Sequence, residues 1–313
     1  MAAAVLSTTT SLWAQRGPDR VDPGVAPPPT AVGAVPVGPP TDRVSASFSL
    51  GGAYAFGTSL EDDRGDVAVS RAGVETTLFV PVFERTLFSV TLLNEWSWYD
   101  FSRGDTPVVA GVSKPFSQVT TVRLSPGVLV MLDDRWSIQG GFSADFSGET
   151  DVDVGDAATY GGFVSVRYAF SDRLSVTGGV SVRSVLEDDV RVLPVIGIDW
   201  DITDRLNLAT RGPGVRLTYF FSRDFDVSLL ASYESRDFRL DRDSAIPDGV
   251  VRDQRVTVGV QAQYAVRPWL ILRAEAGVVA WGELGFDDRD GDELERLTTD
   301  PTPYVGASLT LRF

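Results

Sequence analysis

From residue 43 to the C-terminus, apolar and polar residues alternate one by one, the period of a β-strand with one face in apolar surroundings. Val44, Ala46, Phe48, Leu50, Tyr54 and Phe56 alternate with Ser45, Ser47, Ser49, Gly51, Ala53 and Ala55. Leu174, Val176, Val180 and Val182 oppose Ser175, Thr177, Ser181 and Arg183, and Val256, Val258, Val260, Ala262 and Tyr264 oppose Arg255, Thr257, Gln261 and Gln263. The pattern predicts strands over residues 43–57, 66–82, 85–99, 118–132, 135–147, 158–170, 173–186, 190–201, 205–211, 214–222, 225–239, 253–266, 269–284 and 302–313. Most reach the roughly ten residues that cross a hydrocarbon layer at a tilt. The count is fourteen, with one weak point: Gly212-Pro213 splits residues 205–221 into a short hairpin. One continuous kinked strand there would change the parity, and twelve is the competing count.

The connections are of two alternating kinds. Short ones recur as Asp133-Asp134-Arg135-Trp136, Ser171-Asp172-Arg173-Leu174, Thr203-Asp204-Arg205-Leu206 and Ser222-Arg223-Asp224-Phe225, with variants at Phe83-Glu84-Arg85 and Arg267-Pro268-Trp269. These are polar hairpin turns. Phe83, Trp136, Phe170, Phe221, Phe225 and Trp269 flank them, as suits a ring of aromatics at a membrane interface. The other connections, residues 59–65, 102–117, 148–156, 187–189, 241–253 and 286–300, are mostly longer and acidic.

The last of the fourteen alternates most cleanly. Val305, Ala307, Leu309, Leu311 and Phe313 share one face, and Gly306, Ser308, Thr310 and Arg312 the other. This strand resembles the closing strand of bacterial outer-membrane β-barrels, whose C-terminal Phe and alternate apolar residues are read by the assembly machinery. The resemblance implies an all-β, transmembrane, antiparallel up-and-down barrel over residues 43–313 in a Gram-negative-type outer membrane. It also implies Phe313, Leu311 and Leu309 as the assembly signal, and lipid, barrel-assembly machinery and periplasmic chaperones as partners; oligomeric state stays open. Short turns then face the periplasm and acidic loops the exterior. Residues 42–313 also resemble an outer-membrane barrel domain family of unassigned function, on the Asp-Arg turns, Gly212-Pro213-Gly214 and the terminal Phe313. Those motifs are architectural and transfer no catalytic or ligand-binding residue.

Composition narrows the function. Hydrophobic residues make up 43% and mean hydropathy is +0.01. No run nears the roughly 20 apolar residues of a spanning helix, which excludes a helical membrane protein. A barrel escapes that test because only alternate residues meet lipid. The 28 Lys plus Arg against 43 Asp plus Glu give a formal charge of −15, which repels nucleic acid. The absence of Cys and His removes disulfides, thiolate and Ser-His chemistry, and Cys- or His-ligated metals. No enzyme activity and no cofactor are expected. Carboxylate-only chemistry would fall to Asp145, Glu234 or Glu275, and no spacing singles out a pair.

The N-terminal region reads differently. Residues 1–14 form an apolar stretch closing on Ala14 before Gln15, which predicts an export signal, although no Lys or Arg precedes it. An Ala/Thr tail is the alternative. Residues 15–42 carry Pro18, Pro23, Pro27, Pro28, Pro29, Pro36, Pro39 and Pro40 and predict an unpacked periplasmic leader, with a docking site or short plug as the alternative.

Charges of both signs collect at the parity opposite the apolar face: Arg123, Arg167, Arg183, Arg216, Arg255, Arg273 and Arg312 against Glu75, Glu95, Asp145, Asp199, Glu234 and Glu275. An Arg facing lipid at the midplane costs about 2–4 kcal/mol, so these are expected to line the lumen, either solvating a pore or pairing across it. Asp287, Asp288, Asp290, Asp292 and Glu295 form an acidic loop. Calcium is a weak possibility there, since with Gly291 at the sixth position of an EF-hand loop the first and twelfth are Phe286 and Leu297; a solvated loop is the plainer reading. Trp96, Trp98, Tyr99 and Phe101 break the alternation and predict an upper girdle or a loop-packing cluster. The expected function is a passive outer-membrane channel for small solutes with an acidic outer mouth. A closed structural or surface-interaction barrel is the alternative, and a His-free barrel enzyme a distant one.

Overall fold

The computed structural model describes residues 43–102 and 104–313; the expected export signal and Pro-rich leader lie outside the described residues. The alternating segments form β1 (Ser45–Ser59), β2 (Asp66–Phe83), β3 (Thr86–Phe101), β4 (Gln118–Met131), β5 (Trp136–Gly148), β6 (Ala158–Ser171) and β7 (Leu174–Val185). They continue as β8 (Asp188–Asp201), β9 (Leu206–Arg211), β10 (Gly214–Phe220), β11 (Phe225–Arg239), β12 (Val250–Arg267), β13 (Leu270–Asp287), β14 (Glu293–Thr299) and β15 (Thr302–Arg312). Neighbours pair antiparallel, and β1 meets β15 from Ser47↔Arg312 to Ala55↔Tyr304, which closes the ring. β14 and β15 both pair with β13, at Gly282↔Thr299 and Val279↔Thr302, so they are one stave interrupted at Asp300-Pro301. The result is a closed antiparallel barrel of fourteen staves. Two expected loops shorten: β12 begins at Val250, and residues 286–300 are mostly hairpin with a tip at residues 288–292.

Strand parity sorts the side chains as the period of two requires. Leu50, Leu92, Val164, Leu229, Val260 and Val305 are exposed on the outside, and Ile196 reaches 74% exposure. Inside, hydroxyls pair across strands: Ser49 with Thr310 at 3.0 Å, Thr77 with Thr91 at 3.0 Å, Thr218 with Ser228 at 2.8 Å. Such pairs satisfy polar groups that face inward. Aromatics gather at the short-turn rim, where the Trp136 and Tyr168 ring centroids lie 4.5 Å apart and those of Tyr219 and Phe221 4.8 Å.

The short turns share one device. Asp133 Oδ1 accepts the backbone N–H groups of Arg135 and Trp136, both at 2.7 Å. Thr203 Oγ1 accepts those of Arg205 and Leu206, at 3.2 and 3.1 Å, and Ser222 Oγ those of Asp224 and Phe225, at 3.2 and 3.1 Å. An oxygen on a short side chain thus satisfies amides that the reversing chain leaves unpaired.

One hairpin is unlike the others. Gly212 has φ +56° and Pro213 holds its own φ near about −65°, the sign sequence of a two-residue hairpin turn. β9 and β10 are therefore short. β10 pairs with β11 only up to Gly214↔Ser232, and β8 meets β9 only at Asp199↔Ala209 through Asp201↔Asn207. Beyond Tyr233, whose N–H still donates to Pro213 C=O at 3.4 Å, residues 234–238 of β11 pair with β12 alone. That end is free to lean inward. It does so, pairing Arg239 with Gly148 of β5 and donating no rim of its own to the barrel.

Two inward glycines admit an aromatic. Gly259 and Gly277 face each other across β12 and β13, and a Cβ on Gly277 would lie 2.3 Å from the Val258 carbonyl oxygen and 2.7 Å from the Tyr304 ring. Tyr304 Oη in turn donates to Glu275. Gly277→Val is expected to displace the ring and cost about 1–3 kcal/mol of stability, measured by denaturant unfolding in detergent.

Candidate functional site

Fourteen strands at ordinary spacing and tilt enclose a round barrel about 28 Å across between backbones. β5 and β11 lie six strands apart around the ring through β6 to β10, nearly opposite one another. Yet Glu149 N–H donates to Arg239 C=O at 3.0 Å. At the long-loop end the bore is therefore spanned by backbone.

Below that bridge, ion pairs join opposite walls. Arg71 of β2 reaches Glu234 of β11 and Asp253 of β12, both at 2.8 Å. Arg236 of β11 pairs with Glu95 of β3 and lies 3.5 Å from Glu234. Tyr99 Oη donates to Asp253 at 2.5 Å, and Arg255 reaches Asp253 at 2.7 and 2.9 Å. An Arg and a Glu joined end to end span at most roughly 15 Å between Cα atoms, about half the width of a round barrel. The section is flattened here, and Asp253 is only 1% exposed.

An apolar plug fills the mouth above. Phe101, Phe238, Phe286, Leu240 and Leu284 are buried, together with Val108, Val109 and Phe116 from residues 102–117 and Ile246 from residues 241–249. Rings pack Tyr99–Phe116 at 4.7 Å, Phe101–Phe116 at 5.3 Å and Phe116–Phe286 at 6.4 Å. Of the aromatic group on β3, Trp98 points outward and Tyr99 and Phe101 enter the plug. The tip between β7 and β8 also folds over, with Arg239 on Glu187 and Arg252 on Asp188 at 3.1 Å and on Asp287 at 2.7 Å.

The other charges selected from sequence sit on the inward parity without forming one site. Arg123 pairs with Asp145, its direct neighbour across β4 and β5. Glu75 lies within electrostatic reach of Arg123, and Arg167 of Asp199. Asp199 also accepts from Asn207 Nδ2 at 2.8 Å. Arg183 lies near Asp145 and Asp237, while Arg216, Arg273 and Arg312 occupy the half nearer the short turns. Asp145 pairs with Arg123, Glu234 shares Arg71 with Asp253, and Glu275 accepts from Gln261 and Tyr304. Arg71 and Arg236 share the parity of Glu75 and Glu234, so the same alternation marks them. Asp253 was placed by pattern at a loop edge, and β12 carries it into the wall.

The acidic hairpin scatters its carboxylates. Asp287 faces Arg252, Glu295 pairs with Arg64 at 2.7 Å, and Asp288 Oδ1 accepts the backbone N–H groups of Asp290 and Asp292 at 2.9 and 3.0 Å. Among the described residues no group of three or more acids is arranged to hold a metal. At the opposite side of the mouth, burial raises the carboxyl of Glu149 above the usual range, although it accepts the Asp241 N–H at 2.9 Å. An acid so raised favours folding below its unfolded pKa and loses that as pH rises through the folded one. Glu149→Gln is therefore expected to gain stability slightly at pH 7 and to match the wild type below the ordinary glutamate range, as followed by unfolding at both pH values.

Comparison with curated proteins finds no match. Among solved structures, the chain is similar to a Pseudomonas aeruginosa FadL homologue at 11% identity and TM-score 0.48, over 87% of this chain and 90% of that one. It is similar to an outer membrane channel from Pseudomonas putida F1 at 10% identity and TM-score 0.46, over 87% and 96%. The P. putida toluene transporter TodX follows at 9% identity and TM-score 0.40, over 87% and 91%. Residues 116–311 match the family described as Domain of unknown function (DUF6268), and the chain belongs to that family.

Proposed function

We propose that this protein is an outer-membrane channel for small solutes whose bore is held shut at the extracellular end until the ion-pair network parts. The exposed apolar belt and the aromatic short-turn rim support a bilayer setting, with the short turns in the periplasm. Phe313, 75% exposed, and Leu311 and Leu309 lie on the lipid face of the closing stave, where assembly machinery would read them. Exposed acids such as Asp62, Asp151, Asp243 and Asp290 crowd the outer loops, so the mouth favours approaching cations.

The observation that carries the reading is the crossing of the bore by Arg71, Arg236 and the Arg239–Gly148 bridge. A permanently dry interior would gain as much from apolar packing as from these buried charges. Side chains that pair when dry and hydrate when wet suit an interior that opens. The same closure favours a second reading, a structural or surface-interaction barrel that never conducts.

Planar bilayers separate the two. The wild type is expected to stay silent at low voltage, while the isosteric double variant Glu234→Gln/Asp253→Asn removes the acids that hold Arg71 and Arg255, leaves those two guanidiniums mutually repelling and yields stepwise currents. Silence from a folded double variant would favour the structural barrel. Steady wild-type conductance would remove the closure from the account.

A further inference from the structure

β9 and β10 have 6 and 7 residues, so the wall they form rises only about 15–18 Å from the short turns, less than the roughly 25 Å of a barrel's apolar band. Above the Gly212 tip, no described strand lies between β8 and β11. Residues 190–197 of β8 pair with β7 alone, and residues 234–238 of β11 with β12 alone. Ile198 is the last β8 residue served from the hairpin, its N–H donating to Thr210 Oγ1 at 3.0 Å. The β11 end lies close by, since Arg239 holds Glu187 and Arg252 of β12 holds Asp188 at 3.1 Å, both at the β7–β8 tip. An unpaired strand edge at bilayer depth is unfavourable, so the ion pairs and the plug hold β11 inward against that cost.

The two free edges match. β8 runs toward the short turns and β11 away from them, so they are antiparallel. Asp201 N–H donates to Arg173 C=O and Ala265 N–H to Asp224 C=O, both at 2.7 Å. Antiparallel pairing alternates, so even-numbered β8 residues turn their backbone groups away from β7, and odd-numbered β11 residues turn theirs away from β12. The hairpin fixes the rows: Asp199, Ala209, Arg216 and Leu230 are neighbours in turn. Continued above the hairpin, the rows set Pro194 opposite Ser235 and Val192 opposite Asp237. In both rows the free backbone groups of one strand face those of the other. Pro194 is the exception, offering a carbonyl and no N–H.

We propose that the end of β11 is a strand with two positions. Inward, bonded to β5, it closes the bore; outward, it zips onto the free edge of β8 and completes a twelve-stave wall above the β9–β10 hairpin. Zipping carries Glu234 and Arg236 away from Arg71 and Glu95 on the far wall and breaks the Arg239–Gly148 bridge. The edge of β8 is then the partner that competes with the closure. The proposal rests on that closure, whereas pairing of the two edges does not require that the barrel conducts.

Disulfide trapping tests it on the full chain reconstituted in lipid bilayers, since the chain has no cysteine. Pro194→Cys/Ser235→Cys places thiols on directly opposed residues of the zipped edges, within the roughly 7 Å between Cα atoms that a disulfide spans. Val190→Cys/Ser235→Cys lies four residues, about 13 Å, out of register. Under a mild oxidant the in-register pair is expected to bridge at least about tenfold faster with Glu234→Gln/Asp253→Asn than with both acids intact. The out-of-register pair is expected not to bridge in either background. Heat-dependent gel migration checks folding, and Val192→Cys/Asp237→Cys, the next pair in register, serves if the first does not fold. No bridge in a folded in-register pair with the acids removed, one rate in both backgrounds, or equal bridging out of register would overturn the proposal. Bridging without current leaves the strand switch standing and removes the channel reading; current without bridging does the reverse.

Discussion

Replacing Asp253 by Ala is expected to cost about 3–5 kcal/mol of unfolding free energy. Its carboxylate accepts from Arg71, Arg255 and Tyr99 at once while almost fully buried. Removing it takes the shared acceptor from Arg255 and Tyr99 and leaves Arg71 with Glu234 alone. Asp253→Asn keeps the shape and part of the hydrogen bonding, so it should lose less. Denaturant unfolding in detergent, followed by tryptophan fluorescence, measures both. A loss below about 1 kcal/mol for Asp253→Ala, the range of solvated pairs, would mean that the network is wet.

Phe286→Ala is expected to cost about 3–5 kcal/mol, because a fully buried ring leaves a cavity in the plug. Phe116 packs against it from a different loop, with ring centroids 6.4 Å apart. The double variant Phe116→Ala/Phe286→Ala should therefore fall short of the sum of the single losses, by about 0.5 kcal/mol or more. Strict additivity in the same unfolding assay would place the two rings in separate clusters.

The barrel was legible in the sequence because its physics is local. Each strand must present alternate residues to opposite surroundings, and Asp133, Ser171, Thr203 and Ser222 mark the reversals with a side-chain oxygen that caps the turn. Gly212-Pro213, the point at which the strand count was ambiguous, proved to be a real hairpin and the reason β11 has a free end. Closure of the bore was legible only as one of two alternatives, charges pairing across the lumen, without the residues that meet. It depends on strands nearly opposite in the ring, and alternation assigns a side chain to a face without saying how near the far wall stands. Arg71 could be read as inward; that it meets Glu234, 163 residues away, could not. The plug left a fainter trace in Val108, Val109, Phe116 and Ile246, apolar residues in loops otherwise polar, whose burial reflects tertiary packing.

The span of β11 across the bore is the central claim, and a distance measurement tests it most directly. The chain has no cysteine, so Thr150→Cys and Asp243→Cys place spin labels solely on the exposed loops beside the β5 and β11 ends. Pulsed electron resonance on the labelled barrel in lipid bilayers should give one distribution centred at roughly 15–20 Å, since those ends are hydrogen-bonded to each other. A distribution at about 30 Å or beyond, with no short component, is what a round open barrel of fourteen strands gives, and it would contradict the account.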